Sequence, residues 1–328
     1  MKKALICGIS GQDGGYLAKL LLEKDYVVYG SSRDAEATSF ANLAHLGIKD
    51  QIKFESLHLN NFDSVLTVLT KVAPDEVYNL AGQSSVRLSF EQPVETFESI
   101  SIGTIHLLEA IRAVKRPIKL YNAGSGECFG ETTNLPANET TAFRPRSPYA
   151  VAKAAAFWET VNYRDAYNLF ACSGILFNHE SAQRAEHFVT QKIVAGVCRI
   201  AAGLQDQLEL GNLSIQRDWG WAPEYVETMW LMLQQDKPDD FVIATGRTYS
   251  LEQFVEQAFM MVGLDWKNYV VSDVNMIRPT DNMVSKADPS KAKNQLNWQA
   301  KSGMPEVVRM MVEAYQQLGD ASTSYLGR

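Results

Sequence analysis

Apolar residues recur along this chain in two alternating rhythms. Short unbroken runs occur at Ala4-Leu5-Ile6-Cys7, Tyr26-Val27-Val28-Tyr29, Ile52 to Leu59, Asp75 to Gly82, Lys119 to Asn122 and Phe170 to Phe177. Runs of that length, closed by small or polar residues, predict buried strands. Between them apolar positions fall three and four apart, as at Leu17, Leu20 and Leu21, and at Ile100, Leu107, Leu108 and Ile111 within Pro93 to Val114. That spacing predicts helices with one buried face. Strands alternating with helices imply an α/β fold, a doubly wound parallel sheet whose ligands bind beyond the strand C-termini. Past Phe177 the rhythm changes. Residues 1–177 therefore read as one domain, and 178–328 mainly as a smaller, mostly C-terminal α/β domain, with later segments returning to the first.

The first strand runs straight into Gly8-Ile9-Ser10-Gly11-Gln12-Asp13-Gly14, and a helix follows. Strand, glycine turn and helix together make a Rossmann-like site, in which a pyrophosphate approaches backbone N–H groups at the helix N-terminus. Gly8, Ser10, Gly11, Gln12, Asp13 and Gly14 are its candidate residues. After the second strand, an acid would favour the free ribose hydroxyls of NAD. Ser31-Ser32-Arg33 stands there instead, which suits the 2′-phosphate of NADP, with Asp34 as a dissenting charge. Leu80-Ala81-Gly82 closes the fourth strand with small residues, as expected where a strand passes close under a cofactor.

Candidate chemistry gathers between Tyr121 and Lys153. Tyr149 and Lys153 lie four apart at the start of a helix set by Pro145 and Pro148, so one face carries both. A neighbouring ammonium is expected to favour the phenolate of Tyr149. Ser125 suits a hydrogen bond to the substrate oxygen that the phenolate deprotonates. Glu127, two residues along an extended segment, would face the same side as a second acid/base. Downstream, Asn178-His179-Glu180-Ser181, Arg184, Lys192, Arg217 and Arg278 form a polar set without a nucleotide turn of its own. Arg217 and Arg278 suit a bidentate clamp on a diphosphate.

Charge and composition narrow the classes. Apolar residues make up 46% and charged residues 21%, and the net charge of −7 argues against nucleic acid or a membrane surface as partner. No stretch reaches the roughly 18 apolar residues that span a bilayer, and nothing near the N-terminus reads as a signal peptide, so a cytoplasmic protein is expected. Cys7, Cys128, Cys172 and Cys198 lie far apart, without metal-ligand spacing. Reduced thiols and no metal site are expected. The tail beyond about Leu318 reads as frayed.

These motifs carry a resemblance. With Val77-Tyr78-Asn79-Leu80, Ser147 to Lys153, Gly174-Ile175-Leu176-Phe177-Asn178-His179-Glu180-Ser181, Phe188-Val189-Thr190, Arg217-Asp218-Trp219-Gly220, Phe241 to Gly246 and Arg278-Pro279, the chain resembles the GDP-mannose 4,6-dehydratase family of the extended short-chain dehydrogenase/reductase superfamily. The resemblance implies an NADP-dependent lyase acting on GDP-mannose, with Ser125, Glu127, Tyr149 and Lys153 catalytic. It implies cofactor contacts also at His58, Leu59, Leu80 and Ala81. Ser84, Asn178, His179, Glu180, Arg184, Lys192, Arg217 and Arg278 become the expected substrate contacts. A homodimer or homotetramer follows, with the loop after Arg33 reaching a neighbour's cofactor. The chain departs from the family pattern in having Ser125 for Thr, Asp34 for a second Arg, His58 for Asp, Gln191 for Arg and Trp221 for His. Two alternatives stand beside this reading. A nucleotide-sugar 4-epimerase or 4-ketoreductase needs no acid at Glu127, and a non-catalytic NADP-binding regulator needs neither Tyr149 nor Lys153.

Overall fold

The computed structural model describes residues 1–273 and 279–325. Its first six strands are β1 (Lys3–Cys7), β2 (Val27–Ser32), β3 (Lys53–Ser56), β4 (Glu76–Asn79), β5 (Lys119–Ser125) and β6 (Ala171–Leu176). Then come β7 (Asn178–Glu180), β8 (Leu208–Leu210), β9 (Gln216–Arg217), β10 (Trp219–Trp221), β11 (Phe241–Ile243), β12 (Tyr249–Ser250) and β13 (Val270–Ser272). The helices begin with α1 (Gln12–Glu23), α2 (Ala41–His45), α3 (Phe62–Val72), α4 (Val86–Glu91), α5 (Pro93–Phe97) and α6 (Gly103–Val114). They continue with α7 (Pro148–Tyr167), α8 (Val189–Ala201), α9 (Ala222–Gln234), α10 (Leu251–Met261), α11 (Ser290–Leu296) and α12 (Met304–Tyr325).

Seven strands form one parallel sheet in the order β11-β6-β5-β4-β1-β2-β3. Chain order reverses between β1 and β4, which opens a crevice at their C-terminal ends. Apolar side chains of α1 and α9, among them Leu17, Leu21, Val226 and Met229, cover one face. Val65, Leu69, Leu107, Leu108 and Ile111 from α3 and α6 cover the other. A separate core joins α8, α10 and α12 around the fully buried Trp219.

The structure corrects several expected boundaries. β5 reaches Ser125, and a 3-10 turn over Gly126–Phe129 then replaces the extended segment expected to carry Glu127. The cause is local: Ser125 Oγ accepts the Glu127 N–H at 3.3 Å and caps that turn. The long helix from Pro93 to Val114 is interrupted by a π-helical turn at Glu98–Ile102, which sets Ser99 against the loop after β4, where Gln83 N donates to Ser99 Oγ at 3.2 Å. The sheet's outermost strand, β11, comes from beyond residue 177, and its three residues are too few to signal a strand by periodicity. At the other end, α12 runs on to Tyr325, past the point where fraying is expected.

Asp240 ties β11 to its neighbours. Its carboxylate accepts from Arg164 Nη1 and Nη2 at 3.1 and 2.7 Å and from Ser173 N at 2.7 Å, and it is 7% exposed. Replacing Asp240 by Ala strands the Arg164 guanidinium without its partner. Urea unfolding is expected to show a loss of about 3–5 kcal/mol at an unchanged m-value. A loss under about 1 kcal/mol counts against this anchoring role.

Candidate active site

A cleft of about 840 Å³ lies in the crevice beyond β1, β2 and β4. Its floor is the turn from Gly8 to Gly14, with Gly8, Ser10, Gly11, Gln12, Asp13 and Gly14 all lining it. Gly8 has φ +83°, and a Cβ there would lie 2.9 Å from the Ala81 backbone. A Cβ on Gly14 would lie 2.6 Å from the Gly8 carbonyl oxygen, so only glycine allows the turn to fold under α1. Gly11 sits at the N-cap of α1, and no side chain caps its first N–H groups. Those donors, at the positive end of a helix, suit a pyrophosphate, so the turn fits a dinucleotide. Leu59, Leu80, Ala81 and Ser84 line the same cleft. The exposed His58 does not, and its neighbours Leu59 and Asn60 take the lining position expected of it.

At the cleft's edge, Arg33 is 83% exposed in its side chain and loosely paired with Glu95 at 3.7 Å. Asp34, the dissenting charge, turns back into its own loop, where Oδ1 accepts from Glu36 N and Ala37 N at 3.0 and 2.9 Å. One oxygen of its carboxylate is thereby engaged by the backbone, while the residue still lines the cleft.

The four expected catalytic groups come together where β5 ends and α7 begins. Ser147 caps α7 by accepting from Ala150 N at 3.1 Å, and Pro148 occupies the first helical position, which fixes Tyr149 at the helix entrance. Lys153 donates through Nζ to the Ala123 carbonyl at 2.8 Å, and Nζ lies 5.9 Å from the centre of the Tyr149 ring. Ser125, Tyr149 and Lys153 are each at most 9% exposed. Burial pushes the Tyr149 phenol well above its ordinary range, opposed in part by a hydrogen bond with Ser125, while the nearby Cys128 and Glu127 push it further up. Burial also pulls Lys153 down to about 8. Desolvation is the largest influence on the phenol, and the groups that lower it are Ser125 and Arg184. Glu127 accepts at Oε2 from Asn282 Nδ2 at 3.2 Å.

The downstream polar set divides. Arg184 and the neighbouring Gln183 line the cleft, and Asn178 keeps partial exposure. His179 and Glu180 turn inward instead. His179 Nε2 pairs with Asp13 Oδ2 at 2.8 Å, and Nδ1 donates to the Phe177 carbonyl at 2.7 Å. Glu180 Oε2 accepts from Thr190 at 2.7 Å and meets Arg184 Nε at 3.0 Å. Both residues are buried and brace the cleft wall rather than face a substrate. Lys192 donates to the Glu209 carbonyl at 2.7 Å. Arg217 is 4% exposed and donates to the Gln216 and Asn282 carbonyls at 2.9 and 2.7 Å and to Asp281 at 2.8 Å. Its charge is thus met by the protein, which departs from the expected open clamp. Arg278 lies outside the described residues. Asn282 and Gln183 are site residues that the sequence reading missed; Gln183 lies in the polar stretch already singled out, and Asn282 carries no motif.

The chain is similar to known proteins along nearly its whole length. A family profile described as GDP-mannose 4,6 dehydratase matches residues 5–311. GDP-mannose 4,6 dehydratase 1 of Arabidopsis thaliana is 48% identical over 322 residues, 95% of this chain and 89% of that protein. The Homo sapiens GDP-mannose 4,6 dehydratase is 42% identical over 340 residues, 96% of this chain and 91% of that one. Among solved structures, a UDP-glucose 4-epimerase from Thermus thermophilus in complex with NAD superposes with a TM-score of 0.84 at 25% identity, covering 96% of this chain and 99% of that one. Among the described residues no group of metal-ligating side chains occurs, and no helix is long and apolar enough to cross a membrane.

The Asp13–His179 pair gives the site a defined pH response. Burial opposes the imidazolium, but the charge and hydrogen bond of Asp13 outweigh it and raise the His179 pKa above 6.5. Asp13 is likewise disfavoured by burial, but His179, Gln12 and Arg184 bring it down from 3.8 to about 2. A raised histidine stabilises the fold fully below its unfolded value and loses that contribution as pH climbs through its folded one. A lowered carboxylate acts in the opposite sense, losing its contribution as pH falls towards about 2. Wild type should therefore exceed His179→Gln in stability most clearly between about pH 4 and 6.5, with the gap narrowing on either side. Urea titrations at pH 5 and pH 9 check this; a gap that widens at pH 9 contradicts it.

Proposed function

From the premise that this chain belongs to the GDP-mannose 4,6-dehydratase family and converts GDP-mannose to GDP-4-keto-6-deoxymannose and water, we propose that Ser125, Glu127, Tyr149 and Lys153 carry that conversion with NADP as cofactor. The cofactor class is a nicotinamide dinucleotide. The turn from Gly8 to Gly14 would hold the dinucleotide, whose nicotinamide would supply the hydride acceptor and donor for the sugar carbons. Tyr149 takes the proton of the 4-hydroxyl, and Ser125 hydrogen-bonds the same oxygen. Lys153, tethered to Ala123, holds its ammonium beneath the phenol. A ketone at C4 acidifies the C5 proton, which Glu127 removes and passes to the departing C6 hydroxyl so that water leaves; C5 takes a proton from solvent once hydride reaches C6.

One observation carries the reading: the Glu127 carboxylate sits in the short turn that Ser125 caps, where Asn282 Nδ2 donates to its Oε2 at 3.2 Å. A 4-epimerase or 4-ketoreductase has no use for a carboxylate there. Support for NADP over NAD comes from Arg33, which is open to solvent, and from Asp34, one oxygen of whose carboxylate is engaged by its own loop. The cleft wall offers Ser84 and Arg184 to the GDP portion, and the partly exposed Asn178 is the further candidate. Arg217 and Lys192 reach a diphosphate only by exchanging protein carbonyl partners for it. The exposed Val151 and Trp158 of α7 suit burial against a second copy, in keeping with a homodimer or homotetramer.

Arg33→Ala should weaken NADP binding by about 1.5–3 kcal/mol, discounted for exposure towards tenfold, and leave NAD binding nearly unchanged. Fluorescence titration with both dinucleotides measures this; equal losses remove Arg33 from the 2′-phosphate site.

Glu127→Gln should keep the oxidation at C4 and lose elimination by roughly 10²–10⁴-fold. Reduced cofactor then accumulates on the enzyme, visible by its absorbance during a single turnover. Formation of dehydrated product at the wild-type rate would make Glu127 a structural carboxylate and favour the epimerase or reductase reading.

A further inference from the structure

We propose that Asn282 is a positioning residue for the elimination step, holding one oxygen of Glu127 so that the other is presented to the C5 proton; this rests on Glu127 being the base. Asn282 is 3% exposed, and its Nδ2 donates to Glu127 Oε2 at 3.2 Å. The other half of the same amide, Oδ1, is buried with no hydrogen-bond partner among the described residues. A buried amide left half-satisfied costs stability, and an apolar side chain would leave nothing orphaned. The partner its side chain does have is the carboxylate that does the work.

The backbone beneath Asn282 is fixed from three directions. Arg217 Nη1 donates to the Asn282 carbonyl at 2.7 Å. Glu131 accepts from Met283 N at 2.7 Å and Val284 N at 2.8 Å. Gln216 N donates to the Met283 carbonyl at 2.7 Å, and Ser285 N returns to the Gln216 carbonyl at 3.0 Å. The amide is thus carried on a rigid strap, as a group that sets a reactive carboxylate to within fractions of an ångström must be. A carboxylate on a short turn, unheld, rotates among orientations of which few meet the C5 proton. With Oε2 engaged, rotation about the last side-chain bond is arrested. Arg217 then acts on the chemistry at one remove, through the Asn282 carbonyl.

Two variants separate positioning from packing. Asn282→Leu removes the donor and keeps apolar bulk. Asn282→Asp keeps the shape, removes the donor and places a like charge against Glu127. In the holoenzyme with GDP-mannose, both should lower kcat roughly 10- to 100-fold with KM within about threefold, and both should accumulate reduced cofactor during turnover, because oxidation continues while elimination lags. Asn282→Asp should be at least as impaired as Asn282→Leu. Near wild-type turnover by Asn282→Asp, or a fall in turnover without any build-up of reduced cofactor, overturns the proposal. Glu127→Gln, run in parallel, keeps the two ideas apart. If it still eliminates water, the reading of Glu127 fails; if it stalls while Asn282→Leu turns over normally, the positioning role alone fails.

Discussion

A buried histidine and the half-buried carboxylate it meets hold the site together. Asp13, in the turn after β1, and His179, just past β6, meet at 2.8 Å across a gap of 166 positions in sequence. Gln12 reinforces the joint by donating to the His179 carbonyl at 3.1 Å and accepting from Ser181 Oγ at 2.8 Å. The floor of the cofactor cleft and the wall that leads towards the substrate therefore move as one piece. The His179 imidazolium is tolerated in its buried place because Asp13 is there. The Glu180–Arg184 brace follows directly on this joint.

Burial has a different consequence around Tyr149. A phenol raised and an ammonium lowered describe a pocket that disfavours charge on both groups while the protein is alone. Such a pocket responds strongly to any cation delivered into it, since low polarity strengthens each added interaction.

Much of this was legible in the sequence, and the limits are physical. The alternation of apolar rhythms gave the parallel sheet, because strand and helix periods are properties of local spacing. Gly8, Gly11 and Gly14 were readable since the turn is local, and Tyr149 with Lys153 since four residues make one helical turn. What escaped were outcomes of competition. Ser125 and Glu127 looked like neighbours on a strand, but the hydroxyl captures the Glu127 N–H and bends the chain. His179 and Glu180, polar and adjacent to a strand end, looked open to a ligand, yet stronger partners waited at Asp13 and Thr190. Arg217 is held by Asn282 and Asp281, more than sixty positions away, a pairing that no spacing rule encodes.

The sheet's edge has a bearing on how the chain comes into being. β11 closes the flank of β6, yet it follows the whole excursion through β7–β10, α8 and α9. During synthesis, the outer edge of β6 stays unpaired from the emergence of Leu176 until Ile243 follows, an interval of roughly 3–15 s at ribosomal rates of about 5–20 residues per second. Over that interval a fully buried-type strand offers an open ladder to other nascent chains. Arg164 on α7 and Ser173 on β6 already wait in place for Asp240, which emerges one residue before β11 begins. The ion pair and the Ser173 contact thus sit at the very start of β11, where they fix the strand on the edge of β6 once it has emerged.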